Sequence, residues 1–156
     1  MSFVASSNPT QPTANTTITN AAFFPDVSLE EFRTAMKVDA VATQERALHA
    51  LRAAVIEVNN RLSKWLTEQI NLGYLKIDDI PKQPAEIEGQ KNFLYLRAVW
   101  SLAKANLIER YRDYDTTKSG QDKAEALTES ADDYRRDSAW AINDLIGTPR
   151  ATVELI

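Results

Sequence analysis

The feature that most constrains the fold is a long run of apolar residues spaced three and four positions apart. Between residues 43 and 73 this run consists of Leu48, Leu51, Val55, Val58, Leu62, Trp65 or Leu66, and Ile70. The spacing places all of them on one face of an α-helix. About 30 residues at 1.5 Å each predict a helix of roughly 45 Å, longer than a compact domain of this size needs. We expect such a helix to project from the domain or to line an interface.

Helix breakers separate this segment from three other helical segments. All six prolines lie outside the segments that have helical periodicity, and three of the four glycines lie at or just beyond the ends of these segments. Good helix formers fill the segments themselves, so the pattern is consistent. We predict an all-α fold, an antiparallel bundle of about four helices over residues 28–38, 43–73, 86–115 and 120–146. The third helix is apolar on more than one face, which predicts that it is the central, most buried element.

The helical domain is predicted to span residues 26–147, with a different kind of segment at each end. Residues 1–25 carry no charge and are rich in Ser, Thr, Asn and Pro, which predicts a flexible arm. Its apolar residues either pack on the core or become ordered on a neighbouring subunit. Residues 148–156 form a tail whose "ATVELI" alternates like a strand. This tail either lies against its own bundle or extends a sheet on another chain. The candidate arm contacts are Phe3, Val4, Ile18, Phe23 and Phe24.

Composition excludes several classes of protein. The absence of cysteine excludes a disulfide framework, a thiolate zinc site and a Cys nucleophile. No basic region followed by an apolar run opens the chain, and no apolar stretch approaches the ~20 residues of a membrane span. We therefore expect a soluble protein without a targeting segment. A net charge of -4 argues against duplex DNA as the main partner, because DNA affinity comes mostly from Lys and Arg.

A search for catalytic chemistry finds little. The single histidine, His49, has no acid or cysteine beside it to form a nucleophile and base pair. Four scattered glycines cannot form a phosphate-binding loop. The adjacent acids at 78–79 and 132–133 are interpreted as solvated or capping charges. We predict no catalytic residue, no metal site and no cofactor, and we interpret the three tryptophans as core residues: Trp65, Trp100 and Trp140.

Two charged motifs remain, "ERYRDYDTT" at 109–117 and "DDYRRD" at 132–137. Within the first, acids and arginines lie three residues apart, and Asp132 lies three and four residues before Arg135 and Arg136. This spacing predicts ion pairs along each helix surface. If the two helices form a hairpin around Lys118, the motif tyrosines are offset by roughly 13 Å along the axes. The motifs should therefore not meet squarely within one chain.

Three interpretations of these motifs stay open: self-paired solvated faces, a contact between subunits, and a DNA-binding surface. A subunit contact is favoured by the enrichment of Arg and Tyr in interfaces. In the DNA alternative, the arginines at 110, 112, 135 and 136 contact phosphates. The candidate subunit-interface residues are Arg110, Arg112, Asp113, Asp115, Asp133, Arg135 and Arg136.

Four stretches together resemble one protein family. They are "TITNAAFFPDVSLEEFR", "AKANLIERYRDYDTT", "DDYRRDSAWAINDLIG" and "PRATVELI". In these residues the chain resembles the head completion (gpL) family of contractile-tailed temperate phages and prophages, from about Thr16 to Ile156.

The resemblance implies a non-catalytic structural protein of the virion, in the neck at the portal vertex, that is assembled in the host cytoplasm. Such a connector subunit would bind the portal protein after DNA packaging, stabilise the filled head and provide the platform for tail or neck proteins. It would form a ring of about twelve copies, with packaged DNA passing nearby without sequence-specific binding, and no membrane contact. The candidate portal-binding residues of the tail are Arg150, Val153, Leu155 and Ile156.

Overall fold

The computed structural model describes residues 16–38, 42–112 and 118–150, apart from the side chains of 111–112 and 118–130. The described residues are mostly helical, as the sequence predicts, but they also contain a small antiparallel sheet of two strands. In chain order the elements are β1 (Thr17–Ile18), β2 (Val27–Ser28), α1 (Leu29–Ala35), α2 (Gln44–Arg61), α3 (Ser63–Asn71), a 3₁₀ turn (Ile77–Asp79), α4 (Gln90–Arg112) and α5 (Lys118–Ile146).

The predicted single helix over 43–73 is two helices, α2 and α3, which meet at Leu62. The backbone of Leu62 has φ -88° and ψ -1°, and its side chain is fully buried. No proline or glycine lies at this interruption, so the local sequence contains no helix breaker that predicts it. The predicted stop is confirmed, because Gly73 has a φ of +95° and its N–H donates to the carbonyl of Ile70.

Helix α4 is the central element, as predicted, because it packs against both α2 and α5. Its buried face includes Tyr95, Val99 and Leu102. Ser138 of α5 donates from Oγ to the carbonyl oxygen of Ala98 at 2.8 Å. Farther along α4, Glu109 contacts a residue earlier in α5, Arg135. The two helices therefore run in opposite directions, and the end of α5 lies beside the start of α4.

Residues 16–25 pack against the helices, although the sequence assigns them to the flexible arm. Phe23 and Phe24 are each only 5% exposed and belong to the core. The ring of Phe24 stacks on that of Tyr95 with centroids 4.5 Å apart, and Phe23 lies edge-on to Trp65 at 5.9 Å. For these two side chains the structure thus bears out the alternative of packing on the chain's own core. Phe3 and Val4 lie outside the described residues.

A closed ring of hydrogen bonds ties this segment to α2 and α4. The Asn20 side chain donates to the Tyr95 hydroxyl at 2.7 Å, and that hydroxyl donates to Asn59 Oδ1 at 2.7 Å. Asn59 Nδ2 completes the ring by donating to Asn20 Oδ1 at 2.9 Å. Each polar group is thus satisfied as it leaves water, which makes its burial tolerable.

The ends of the helices follow local rules. Ser28 accepts a hydrogen bond from the N–H of Glu31 at 3.4 Å and so acts as the N-cap of α1. Helix α5 ends at Gly147, whose φ of +74° suits glycine and reverses the chain direction. No helix in the ranges that the structure describes is long and apolar enough to cross a membrane.

Candidate assembly surfaces

The first candidate surface is the charged face of α5. The predicted pair Asp132–Arg135 is confirmed, with Nη1 and Oδ1 3.2 Å apart. Arg136 pairs instead with Asp133, at 2.8 Å. Both pairs join residues three apart on one helix and are partly or largely exposed, so each contributes only a few tenths of a kcal/mol, in the range of about 0.2–0.5.

The two charged motifs meet within one chain, contrary to the sequence-based expectation. Arg135 forms an ion pair with Glu109 of α4 in addition to its pair with Asp132. The hydrogen bond to Glu109 is the main reason that the pKa of Arg135 is raised above its ordinary value. The predicted offset along the helix axes applies to the backbones, whereas long Arg and Glu side chains can reach across such an offset. This guanidinium is thus already bound by two carboxylates of its own chain.

This pairing bears on the DNA-contacting alternative. Arg135 and Arg136 are each neutralised by acids of the same chain. Arg110 is exposed, and the side chain of Arg112 lies outside the described part, as do Asp113 and Asp115. No observation among the described residues favours phosphate binding at these arginines.

The second candidate surface is the root of the C-terminal tail. Trp140 was predicted to lie in the core, but its ring is flanked by two arginines: the Cζ atoms of Arg136 and Arg150 lie 4.8 and 4.9 Å from the ring centroid. Arg150 also forms an ion pair with Asp144. The other two tryptophans, Trp65 and Trp100, do pack against the core. The tail residues Val153, Leu155 and Ile156 lie outside the described part of the chain.

The third candidate surface is a set of exposed apolar side chains on the stretch from the end of α3 to the start of α4. Five large apolar side chains between residues 70 and 93 are 47–72% exposed. We call them the apolar end: Ile70, Leu72, Leu75, Ile87 and Phe93. Only one other large apolar side chain in the described ranges is comparably exposed, Ile56 on α2.

The segment that carries the apolar end is held to α4. Asp79 accepts hydrogen bonds from the backbone N–H groups of Leu75 and Lys76, as its predicted capping role requires. The Asn92 side chain donates to Asp78, and Lys91 donates to the carbonyl of Pro81 at 3.4 Å. These contacts give the apolar side chains a fixed backbone. One sequence signal for this surface was not used in the prediction: Leu72, Leu75 and Ile87 are apolar but do not belong to the apolar stripe of any helix.

The described residues contain no group of three or more His, Asp or Glu side chains that could hold a metal ion. His49 is exposed on α2, as expected of a flanking residue.

Known proteins that are similar to this chain indicate one family. Residues 18–156 match the family described as phage head completion protein (GPL). The chain belongs to this family. It is 32% identical over 139 residues to the head completion/stabilization protein of Escherichia phage P2, and the match covers 89% of this chain and 82% of that protein. No solved structure matches the chain.

Membership in the phage head completion family makes the chain a structural component of the virion that acts in completing and stabilising the head. Such a role implies contacts with other head or tail proteins of the phage. The resemblance seen in the sequence is thereby confirmed. The family match includes the tail and the segment from residue 18, so it extends beyond the helices alone.

Proposed function

We propose that this head completion protein is a non-catalytic connector subunit. It binds the portal vertex after DNA packaging, stabilises the filled head and provides the platform for the tail. The observation that carries the proposal is the family match over residues 18–156. In this proposal about twelve copies form a ring in the virion neck after assembly in the host cytoplasm. The net charge of -4 is consistent with a channel through which DNA passes without being held.

We assign the portal-facing side to the apolar end. Clusters of exposed apolar side chains in soluble proteins commonly mark interaction sites, because their burial in a complex is favourable. Helices α4 and α5 run in opposite directions, so α5 ends on the side where α4 begins. The tail therefore starts on the same side as the apolar end. A partner on this side can contact both surfaces together.

The charged face of α5 is the proposed contact between neighbouring subunits. Its two acids and two arginines, between Asp132 and Arg136, lie within one short stretch and are partly exposed. A ring is built from one surface facing a different surface of the next copy. Charges arranged in this way can set the register between copies by exchanging partners.

Deletion of residues 151–156 is expected to abolish binding to purified portal protein while leaving the helical fold intact. The reason is that an alternating apolar tail can extend a sheet on the partner, where main-chain hydrogen bonds supply affinity. The measurement is the mass of the chain in solution with and without portal, together with circular dichroism of the deletion variant. A complex of about twelve copies with portal supports the ring.

Unchanged portal binding by the deletion variant would remove the tail from the proposal. Retention of the intact chain on duplex DNA, falling steeply with salt, would favour the DNA-contacting alternative instead.

Leu75→Asp is expected to weaken portal binding at least tenfold without changing the melting temperature. Leu75 is 72% exposed, so an aspartate is solvated in the free protein but must lose water in the complex. The matched control is Ile56→Asp, a change at a residue 62% exposed on α2 that is not part of the apolar end. Portal titrations with both variants test the assignment, which fails if the two variants bind equally well.

A further inference from the structure

The chain turns back on itself after α5. Gly147 takes a φ of +74°, and the N–H of Thr148 donates to the carbonyl of Asn143 at 2.9 Å. Three residues after Gly147, the side chain of Arg150 contacts α5 again. Its Nε donates to Asp144 Oδ1 at 3.0 Å, and its Nη2 donates to Asp144 Oδ2. Two parallel bonds of this kind fix both the position and the orientation of the guanidinium.

The same guanidinium lies over the ring of Trp140, with Cζ 4.9 Å from the centroid. Trp140 and Asp144 are four residues apart, so they occupy neighbouring positions on one face of α5. Arg150 thus contacts two side chains on one face of α5. The edge of its guanidinium donates to Asp144, and the plane of the guanidinium lies over the ring of Trp140. A cation over tryptophan is attracted by the negative face of the ring, and tryptophan is the best partner for such a contact.

The charges around this contact are balanced. Arg136 also lies over Trp140, but Asp133 neutralises it, and Arg97 pairs with Asp137 at 3.8 Å. The hydrogen bond from Arg150 is the main cause that holds the pKa of Asp144 below its ordinary range. Asp144 is therefore ionised at neutral pH, as the pair with Arg150 requires.

We propose that Trp140, Asp144 and Arg150 form a latch that fixes the point on the flank of α5 from which the C-terminal tail reaches the portal. The proposal rests on the proposed function, in which residues 151–156 bind the portal. Six residues span at most about 20 Å, so the starting point decides which surfaces they can reach. A fixed starting point also reduces the conformational freedom that is lost on binding.

Reversing one charge of the pair tests the latch. In Arg150→Glu and in Asp144→Arg, like charges face each other, so the latch opens. We expect carboxypeptidase to remove residues 151–156 about tenfold faster from either variant. We also expect portal binding to weaken about tenfold, because the tail must then be ordered on binding. Combining the two changes restores an opposite pair. We expect it to recover part of both properties, because Arg97 lies near position 144 and a glutamate at position 150 no longer places a cation over Trp140.

A matched control reverses one charge of an ion pair on another helix, α2. Glu57 and Arg61 form an exposed pair on α2 with 2.6 Å between their atoms. Arg61→Glu should change neither tail digestion nor portal binding.

The outcomes separate the latch from the proposed function. If deletion of the tail abolishes portal binding but Arg150→Glu alters neither digestion nor binding, the latch is overturned and the portal contact stands. Faster digestion with unchanged portal binding also overturns the proposal, because the latch then has no role in reaching the portal. If the deletion itself leaves binding unchanged, the failure lies in the proposed function.

Discussion

Removal of residues 1–25 is expected to unfold the helical domain, whereas removal of residues 1–15 is expected to leave its melting temperature nearly unchanged. The difference lies in residues 16–25, which include the buried side chains of Phe23 and Phe24. Deleting one buried phenylalanine side chain typically costs about 3–5 kcal/mol. Losing two consumes much of the roughly 5–15 kcal/mol that stabilises an ordinary domain. The shorter deletion removes none of the contacts that the structure describes.

Thermal unfolding of the two truncated chains, followed by circular dichroism, provides the measurement. A point variant refines it: Phe24→Ala should lower the free energy of unfolding by about 3–5 kcal/mol. Phe93→Ala is the control, since Phe93 is 58% exposed and its truncation should cost well under half as much. If a chain lacking residues 1–25 melts at the same temperature as the intact protein, residues 16–25 do not stabilise the helical domain and belong to the flexible arm.

This result would also redefine the arm. Phe23 and Phe24 are core residues, and Ile18 packs against the core as a partly buried side chain. Contacts of the arm with a neighbouring subunit are therefore left to Phe3, Val4 and the residues around them. The contact by those residues stays a prediction.

The second large effect is expected at Tyr95, whose hydroxyl is buried in the ring of hydrogen bonds with Asn20 and Asn59. Burial raises the pKa of Tyr95 to about 12 from its ordinary 10, and the hydrogen bond from Asn20 opposes this only in part. Between these two pH values the unfolded chain loses the proton while the folded chain keeps it. The contribution to stability is therefore fully present below pH 10 and is lost as the pH rises towards 12. The free energy of unfolding should fall by about 2–3 kcal/mol over this window.

Tyr95→Phe removes both the group that titrates and two hydrogen bonds. We expect the variant to lose about 1–3 kcal/mol at pH 7, because Asn59 Oδ1 is left without its donor inside the protein. Above pH 10 its stability should fall less steeply than that of the wild type. Urea unfolding at pH 7 and at several values from 9 to 11.5 measures both effects.

The control for this experiment is Tyr74→Phe, at a half-buried tyrosine on the edge of the core. It should keep the steep alkaline loss of the wild type. An equal alkaline loss in the Tyr95 variant would show that another group causes it.

Several features of this protein could be predicted from short stretches of sequence. The N-cap at Ser28, the helix stops at Gly73 and Gly147, and the Asp132–Arg135 pair each involve residues within four positions of one another. The chemistry of such neighbours is decided locally, by capping, by backbone conformations that favour glycine, and by the pitch of the helix. The apolar character of α4 likewise indicated its central place, since a helix that is apolar on several faces must be buried.

Other features depended on packing between distant parts of the chain. Asn20 and Tyr95 are 75 positions apart, and Asn59 and Tyr95 are 36 apart. A charge-free segment with two phenylalanines is compatible with a flexible arm or with a strap over the core, and only the cavity offered by α2, α3 and α4 decides between them. The same holds for the pair between Glu109 and Arg135, and for the contact of Trp140 with Arg150. In each case the partner is supplied by another element or by a reversal of the chain, so tertiary structure alone determines the contact.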